Sequence, residues 1–406
     1  MKNEQTKIKS LMFSFLLLFT VHCLQITAAA QIAIKGETVY TMAVGPIKNG
    51  VVLTENGKIT KVGTASTISI PSNYKVVEAK VVTPGLIDAH TVIGLAGYLN
   101  QPHDQMQVER SSPMQPELRA IDSYNAQEEL IKWVRSFGVT TIHTGHAPLA
   151  LISGQTMIAK TDGKNVDEAT IVPTAMIAST IGNASRNQDG KAPGTVAKQA
   201  AMLRQMLTKA KNYGKKKGFS RNLQLEAVKK VIDREIPLLI TAHRAQDIMT
   251  AIRIAKEFNI KIVLDGVSEA HLLTKEIKES GFPVILHATM IRAGGDTKSA
   301  SMEAAAKLKR AGIPVAIQSG YEGYVPKTRV ILFEAGVTVA YGLSFEDALA
   351  TITINAAKVL GLDKKIGSIE VGKDADIAMY NGDPFEYTTH CIGTMINGKI
   401  VSKTVR

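Results

Sequence analysis

The sequence predicts an α/β protein: a barrel of about eight strand–helix units joined to a β-sandwich built from both chain ends. Three observations predict it. Short apolar runs alternate with helical patterns through residues 81–360, at roughly 20 to 40 residues per unit. The flanking stretches, 31–80 and 362–406, are instead rich in strand and turn signals. The chain's 406 residues, 45% hydrophobic and 21% charged, supply a large core and leave no long polar tract.

In chain order, residues 1–30 read as a secretory leader. Lys2, Lys7 and Lys9 precede an apolar stretch over 11–24, and Ala28-Ala29-Ala30 precedes Gln31. A lipoprotein leader ending at Cys23 is the rival, but His22 stands where a small residue is wanted. The apolar stretch is shorter than the roughly 20 residues of a membrane span. The expectation is therefore export, periplasmic or secreted. Residues 31–80 alternate apolar and polar residues in short runs, and Asn56-Gly57 between two of them signals a hairpin. Strands are expected at 81–89, 138–145, 171–178, 237–242, 260–264, 283–287 and 313–318, with a further one at 150–160. Helices are expected near 125–136, 196–213, 222–234, 245–258, 269–280, 299–311 and 344–360. Such alternation implies parallel strands. The tail returns to short strands, with turns at Asn381-Gly382-Asp383-Pro384 and Asn397-Gly398. The predicted organisation is a leader over 1–30, a composite sandwich from 31–80 plus 362–406, and a barrel over 81–361.

Composition excludes several classes. Two cysteines, Cys23 and Cys391, rule out a disulfide scaffold and any multi-cysteine metal site. The net charge of +12 falls to +10 without the leader. Its densest run, Lys215-Lys216-Lys217, carries no interleaved aromatics and reads as a solvated loop, so no nucleic-acid partner is expected. No later apolar run spans a bilayer, so no stable membrane insertion is expected once the leader is cleaved. The expected partner is a small-molecule substrate; homo-oligomerisation stays open.

Chemistry concentrates at the predicted strand ends. His90, His143, His146, His243 and His287 lie there, five of the eight histidines outside the leader, and Asp265 joins them. Barrel enzymes carry their active groups at these ends, and imidazole–carboxylate clusters suit a divalent metal such as zinc. Each histidine alone is equally readable as a hydrogen-bonded structural residue. Residues 104–119 form a polar stretch after the first strand, suited to a loop over the barrel mouth, with Glu109 and Arg119 able to meet substrate. Residues 152–156 read as a plain hairpin turn or an anion-binding one.

The motif Val82-Thr83-Pro84-Gly85-Leu86-Ile87-Asp88-Ala89-His90 resembles the first strand of the amidohydrolase superfamily, in its imidazolonepropionase-like branch. Gly138-Val139-Thr140-Thr141 resembles the second strand, and the segment from Ala242-His243 the fifth. The tail Ile366-Gly367-Ser368-Ile369-Glu370-Val371-Gly372-Lys373-Asp374-Ala375-Asp376 matches most strongly. The resemblance covers nearly all of residues 31–403. It implies a distorted (β/α)8 barrel with the composite sandwich, and hydrolysis of a non-peptide C–N bond by metal-activated water. It carries over His90 and His243 as metal ligands.

Departures accompany the match. The family's paired His-x-His would place its second histidine at position 92, which is valine here. Asp265 stands near the missing sixth-strand histidine, and Gln318-Ser319-Gly320 near the eighth-strand aspartate. Asp265 is accordingly expected as a third metal ligand, His287 and Glu322 as acid–base groups, and His146 with Arg119 as substrate contacts. Two readings follow: a metal-dependent hydrolase, with zinc as the expected cofactor, acting on a small cyclic amide; or an inactive, metal-free barrel binding a small molecule or a protein.

Overall fold

The computed structural model describes residues 31–99, 101–187, 189–215, 219–287, 293–321 and 330–405. The expected leader, Lys216-Lys217 and Glu322 lie outside the described residues.

Strands β1 (Ile32–Val39), β2 (Ile47–Glu55), β3 (Lys58–Thr64) and β4 (Lys75–Pro84) open the chain. Then come β5 (Leu86–Thr91), β6 (Val139–Thr144), β7 (Ile152–Gln155), β8 (Met157–Lys160), β9 (Thr170–Val172) and β10 (Ile177–Thr180). They are followed by β11 (Leu238–Ala242), β12 (Ile262–Gly266), β13 (Val284–His287) and β14 (Val315–Gln318). The last are β15 (Ile377–Tyr380), β16 (Cys391–Ile396) and β17 (Lys399–Ser402).

Both chain ends enter one seven-stranded sheet, in the order β17-β16-β15-β4-β1-β2-β3. β15 joins it by pairing antiparallel to β4, from Ile377 opposite Pro84 to Tyr380 opposite Val81. β4 therefore continues past the expected boundary at residue 80. The Asn56-Gly57 turn joins β2 to β3 with φ of 51° and 77°; both positive values belong to the two-residue hairpin whose twist matches its strands. One face of the sheet buries Ile34, Val52, Ile59, Val82, Ile377 and Met395 together.

The middle of the chain supplies two further sheets, β14-β13-β12-β11-β10-β7 and β5-β6-β8-β9. β10 through β14 run parallel, as do β5 and β6. The expected strand at 150–160 departs from this pattern: β7 and β8 run antiparallel to β10 and β6. β7 joins the sheet of β10 while β8 joins that of β6, so the two halves of the expected strand enter different sheets. The hairpin reading of 152–156 is thereby resolved into two short strands on either side of Thr156. Ser319 N donates to Asp88 Oδ1 at 3.0 Å, setting the end of β14 beside β5.

Alternation within these strands builds two layers. Leu239, Val263, Ile285 and Ala316 cluster with Ile87, Ala89, Ile158 and Ala178. Ile240, Leu264, Leu286 and Val315 point the other way, into a cluster with Leu203, Leu207, Val231 and Ile252 from the helices. Two residues beyond the first set, on the same face, come Thr241, Asp265, His287 and Gln318. A polar layer thus sits directly above an apolar one.

The helices Val196–Asn212, Leu223–Ile232 and Ala245–Phe258 lie where the periodicity places them. The expected helix at 344–360 breaks at Thr353 (φ −135°, ψ −100°) into Phe345–Thr351 and Ile354–Val359. Helix Ile331–Ala340 was not anticipated. Its sequence, ILFEAGVTVA, is nearly all apolar and offers no helical period to detect. Among the described residues no helix is long and apolar enough to cross a membrane.

Candidate active site

The polar layer centres on Asp265, which is 1% exposed. Its Oδ1 faces His90 Nδ1 at 3.1 Å and accepts from Gln318 Nε2 at 2.7 Å. Its Oδ2 accepts from Thr241 Oγ1 at 2.5 Å. Burial alone would push this carboxyl up, but the adjoining His90, the Thr241 hydroxyl and His243 outweigh it and hold the group below its ordinary range. Burial likewise pulls His90 down, yet Asp265 and Asp88 prevail and raise it. The outcome is a closely coupled imidazole–carboxylate pair in which Asp265 holds a proton on His90 Nδ1.

His90 belongs to β5, whose pairing with β6 shifts register between Asp88 and Thr91. Asp88 and His90 stand two residues apart, so strand alternation favours one face for both. Asp88 meets Ser319 just past β14, and His90 meets Asp265 on β12. Asp88 accepts from the Ser319 and His90 amides, but burial prevails and lifts its pKa to about 7. His90 Nε2 is buried without a hydrogen-bond partner among the described residues.

His243 follows β11. Its Nδ1 lies 2.8 Å from Ser268 Oγ, and its ring centroid 6.5 Å from that of His287. Burial lowers its pKa, opposed by the charges of Asp265 and Asp296. Two glycines make room for these imidazoles. A Cβ at Gly320 (φ +81°) would lie 2.1 Å from His287 Nε2, and one at Gly266 (φ +76°) 2.7 Å from His243 Cε1.

The structure thus brings together four of the expected site residues: His90, Asp265, His243 and His287. His143, another strand-end histidine, is structural. Its Nδ1 meets the Ala89 carbonyl and its Nε2 the Thr156 hydroxyl, each at 2.7 Å. Neither His146 nor Arg119 contacts the cluster among the described residues. His146 is buried in the field of Glu109, with Nδ1 unpartnered; Arg119 is half exposed and pairs with Asp122 at 3.8 Å. The loop around Glu109 does border a polar cavity of about 640 Å³, shared with residues 183–187, 189 and 191–193 and lined by Glu109, Arg110, Arg186 and Lys191.

Sequence reasoning passed over Asp88, Thr241 and Ser268. Asp88 stood inside the quoted motif; the other two carry no signal beyond their place beside a strand end.

The metal expectation is testable on these contacts. Three of the four lone pairs of Asp265 are engaged by protein donors, and His243 Nδ1 is tied to Ser268. Val92, where a second histidine would stand, packs against Ala96 and Ala147. Among the described residues no group of three or more His, Cys, Asp and Glu side chains is arranged to hold an ion. Catalytic zinc takes three protein ligands, so the described residues do not fit it.

Comparison with known proteins agrees with the geometry. The amidohydrolase family model matches residues 81–401. An imidazolonepropionase of Thermoplasma volcanium is 25% identical over 377 residues, covering 87% of this chain and 91% of that protein. The imidazolonepropionase of Shewanella oneidensis is 35% identical over 102 residues, 23% of this chain and 25% of its own. The crystal structure of an amidohydrolase from Thermotoga maritima superposes with a TM-score of 0.86 at 30% identity, covering 92% of this chain and 100% of its own. With its α/β architecture of the TIM-barrel type and its polar layer of histidines and aspartate at the strand ends, the chain belongs to the amidohydrolase family.

Proposed function

We propose that the protein hydrolyses the carbon–nitrogen bond of a small cyclic amide at the polar layer around Asp265. As an amidohydrolase it is a hydrolase acting on carbon–nitrogen bonds other than peptide bonds. One observation carries the finer reading: His90 is held by Asp265 through Nδ1 while Nε2 stays buried and unpartnered among the described residues. A carboxylate that fixes one ring nitrogen orients the other for proton transfer. His90 Nε2 then takes a proton from water as its oxygen adds to the amide carbon, and returns one to the departing nitrogen. Bound substrate would cover the centre and exclude bulk water.

The relatives named imidazolonepropionase suggest an imidazolone ring as the first substrate to try. Arg110, Arg186 and Lys191 outnumber Glu109 and Asp189 around the cavity beside the Glu109 loop, which suits a ring bearing a carboxylate. Zinc, implied by the resemblance, finds no complete ligand set among the described residues. In the same reading residues 1–30 are a cleaved leader, the two central sheets close into a barrel over 81–361, and the terminal sheet folds into a composite sandwich from 31–80 and 362–406.

The test is ring opening of imidazolonepropionate and of simple five- and six-membered cyclic amides by the mature chain. His90→Ala should lower turnover by about 10²–10⁴-fold, the usual contribution of a positioned acid–base group. A second reading, a barrel that binds without turnover, is favoured by Val92 at one of the family's ligand positions and by Gln318-Ser319-Gly320 near another. Tight binding with no turnover across the panel would establish it.

A further inference from the structure

A buried carboxylate must be compensated, because removing its charge from water costs several kcal/mol. In this centre the compensation is visible and comes from protein groups. His90, Gln318 and Thr241 are 4%, 4% and 5% exposed, and all three aim at Asp265. Gln318 closes β14, opposite His287 at the end of β13, and opens the stretch 318–320 near which the resemblance implies a metal-holding aspartate. Only its amide nitrogen can meet a carboxylate at 2.7 Å, so the NH2 end must face Asp265. A cation arriving there would meet amide hydrogens, and turning the amide would leave Asp265 one donor short.

We propose that Gln318 takes the place of a metal ion in this chain, clamping Asp265 with a neutral donor so that the His90–Asp265 pair is assembled without any divalent cation. Gln318 is then a positioning residue. The inference goes beyond the hydrolytic reading and does not need turnover. An inactive but metal-free wild type would defeat only the hydrolytic reading, whereas a metal-loaded wild type would defeat only this one.

Gln318→Glu supplies the sharpest test, since it keeps shape and replaces the donor by a second carboxylate. Two buried carboxylates in contact cannot both stay ionised unless a proton or a cation joins them. The mature wild type and the variant, each produced in zinc-supplemented medium, would be compared by elemental analysis, zinc titration calorimetry and melting with and without EDTA. The wild type should hold zinc, iron and manganese only substoichiometrically, with Tm unmoved by EDTA or zinc. Gln318→Glu should bind zinc about 10–100-fold more tightly than the wild type, the size of effect expected when a group around a metal position changes. Its Tm should rise with zinc and fall with EDTA. If the variant folds only in zinc, that dependence is itself the expected result. About one firmly held ion per wild-type chain, with Tm falling on chelation, would overturn the proposal, as would a folded Gln318→Glu whose Tm depends on neither zinc nor pH.

Discussion

His143 shows how little residue type alone says about role. Burial, reinforced by the neighbouring charge of His90, drives its pKa down to about 3. Both nitrogens are committed to a carbonyl and a hydroxyl. The folded state therefore refuses a proton that the unfolded chain accepts below about 6.5. The resulting stability is present above pH 6.5 and drains away as pH falls toward 3. NMR should find no titration of the His143 ring between pH 5 and 8. Thr156→Val, which strands Nε2, should cost about 1–3 kcal/mol in urea unfolding. Gly320 is the opposite kind of residue, significant for lacking a side chain. Gly320→Ala puts a methyl group onto His287 in a left-handed backbone conformation, and should cost roughly 1–3 kcal/mol of stability in the same assay. At this scale the sequence made His90, His243, Asp265 and His287 legible, because strand ends are where a barrel gathers chemistry. It left His143 ambiguous, because only tertiary contacts show that both of its nitrogens are occupied.

Among the elements, the hairpins were readable from local turn chemistry. Asn56-Gly57 and Asn397-Gly398 both have positive φ throughout. Their contact with one another was not readable: a Cβ at Gly398 would lie 3.1 Å from Gly57 Cα. Gly398→Ala combines that crowding with left-handed strain, and should cost roughly 1–2 kcal/mol. Hydrogen exchange should show the loss at β2–β3 as well as at β16–β17. A loss confined to β16–β17 would mean the two turns are energetically separate. The direction of β7 and β8 was misread for a related reason. Apolar strand runs look alike in either direction, and nothing local marks that β7 will pair with β10 and β8 with β6. Helix Ile331–Ala340 escaped notice because an almost uniformly apolar segment has no polar face to mark its period.

Across the whole molecule, one ion cluster ties the separated parts of the chain together. Lys160 of β8, Asp374 and Asp376 are each 5% exposed. The lysine reaches both aspartates, while Lys58 of β3 meets Asp374 Oδ1 at 2.7 Å. Asp376 Oδ1 also accepts from Asn397 N at 2.9 Å. Lys160→Met leaves the buried Asp376 without its cation while Asp374 keeps Lys58, so unfolding should become about 3–5 kcal/mol easier. The loss of protection should spread through β4, β8 and β15 together. Export also belongs to this scale: N-terminal sequencing of the mature protein should begin at or near Gln31, and an intact Met1 in a cytoplasmic fraction would refute it. By itself the sequence determined the α/β alternation, the β-rich ends and the strand-end histidines, since each rests on periodicity, turn residues or motif over short distances. It even displayed Asp374 and Asp376 as a motif without revealing their partners. Only the tertiary structure decided that β15 pairs with β4, that Lys160 neutralises the tail's aspartates, and that Gln318 closes around Asp265. Those contacts join residues more than fifty positions apart, and nothing local in a chain encodes which distant donor will meet a buried charge.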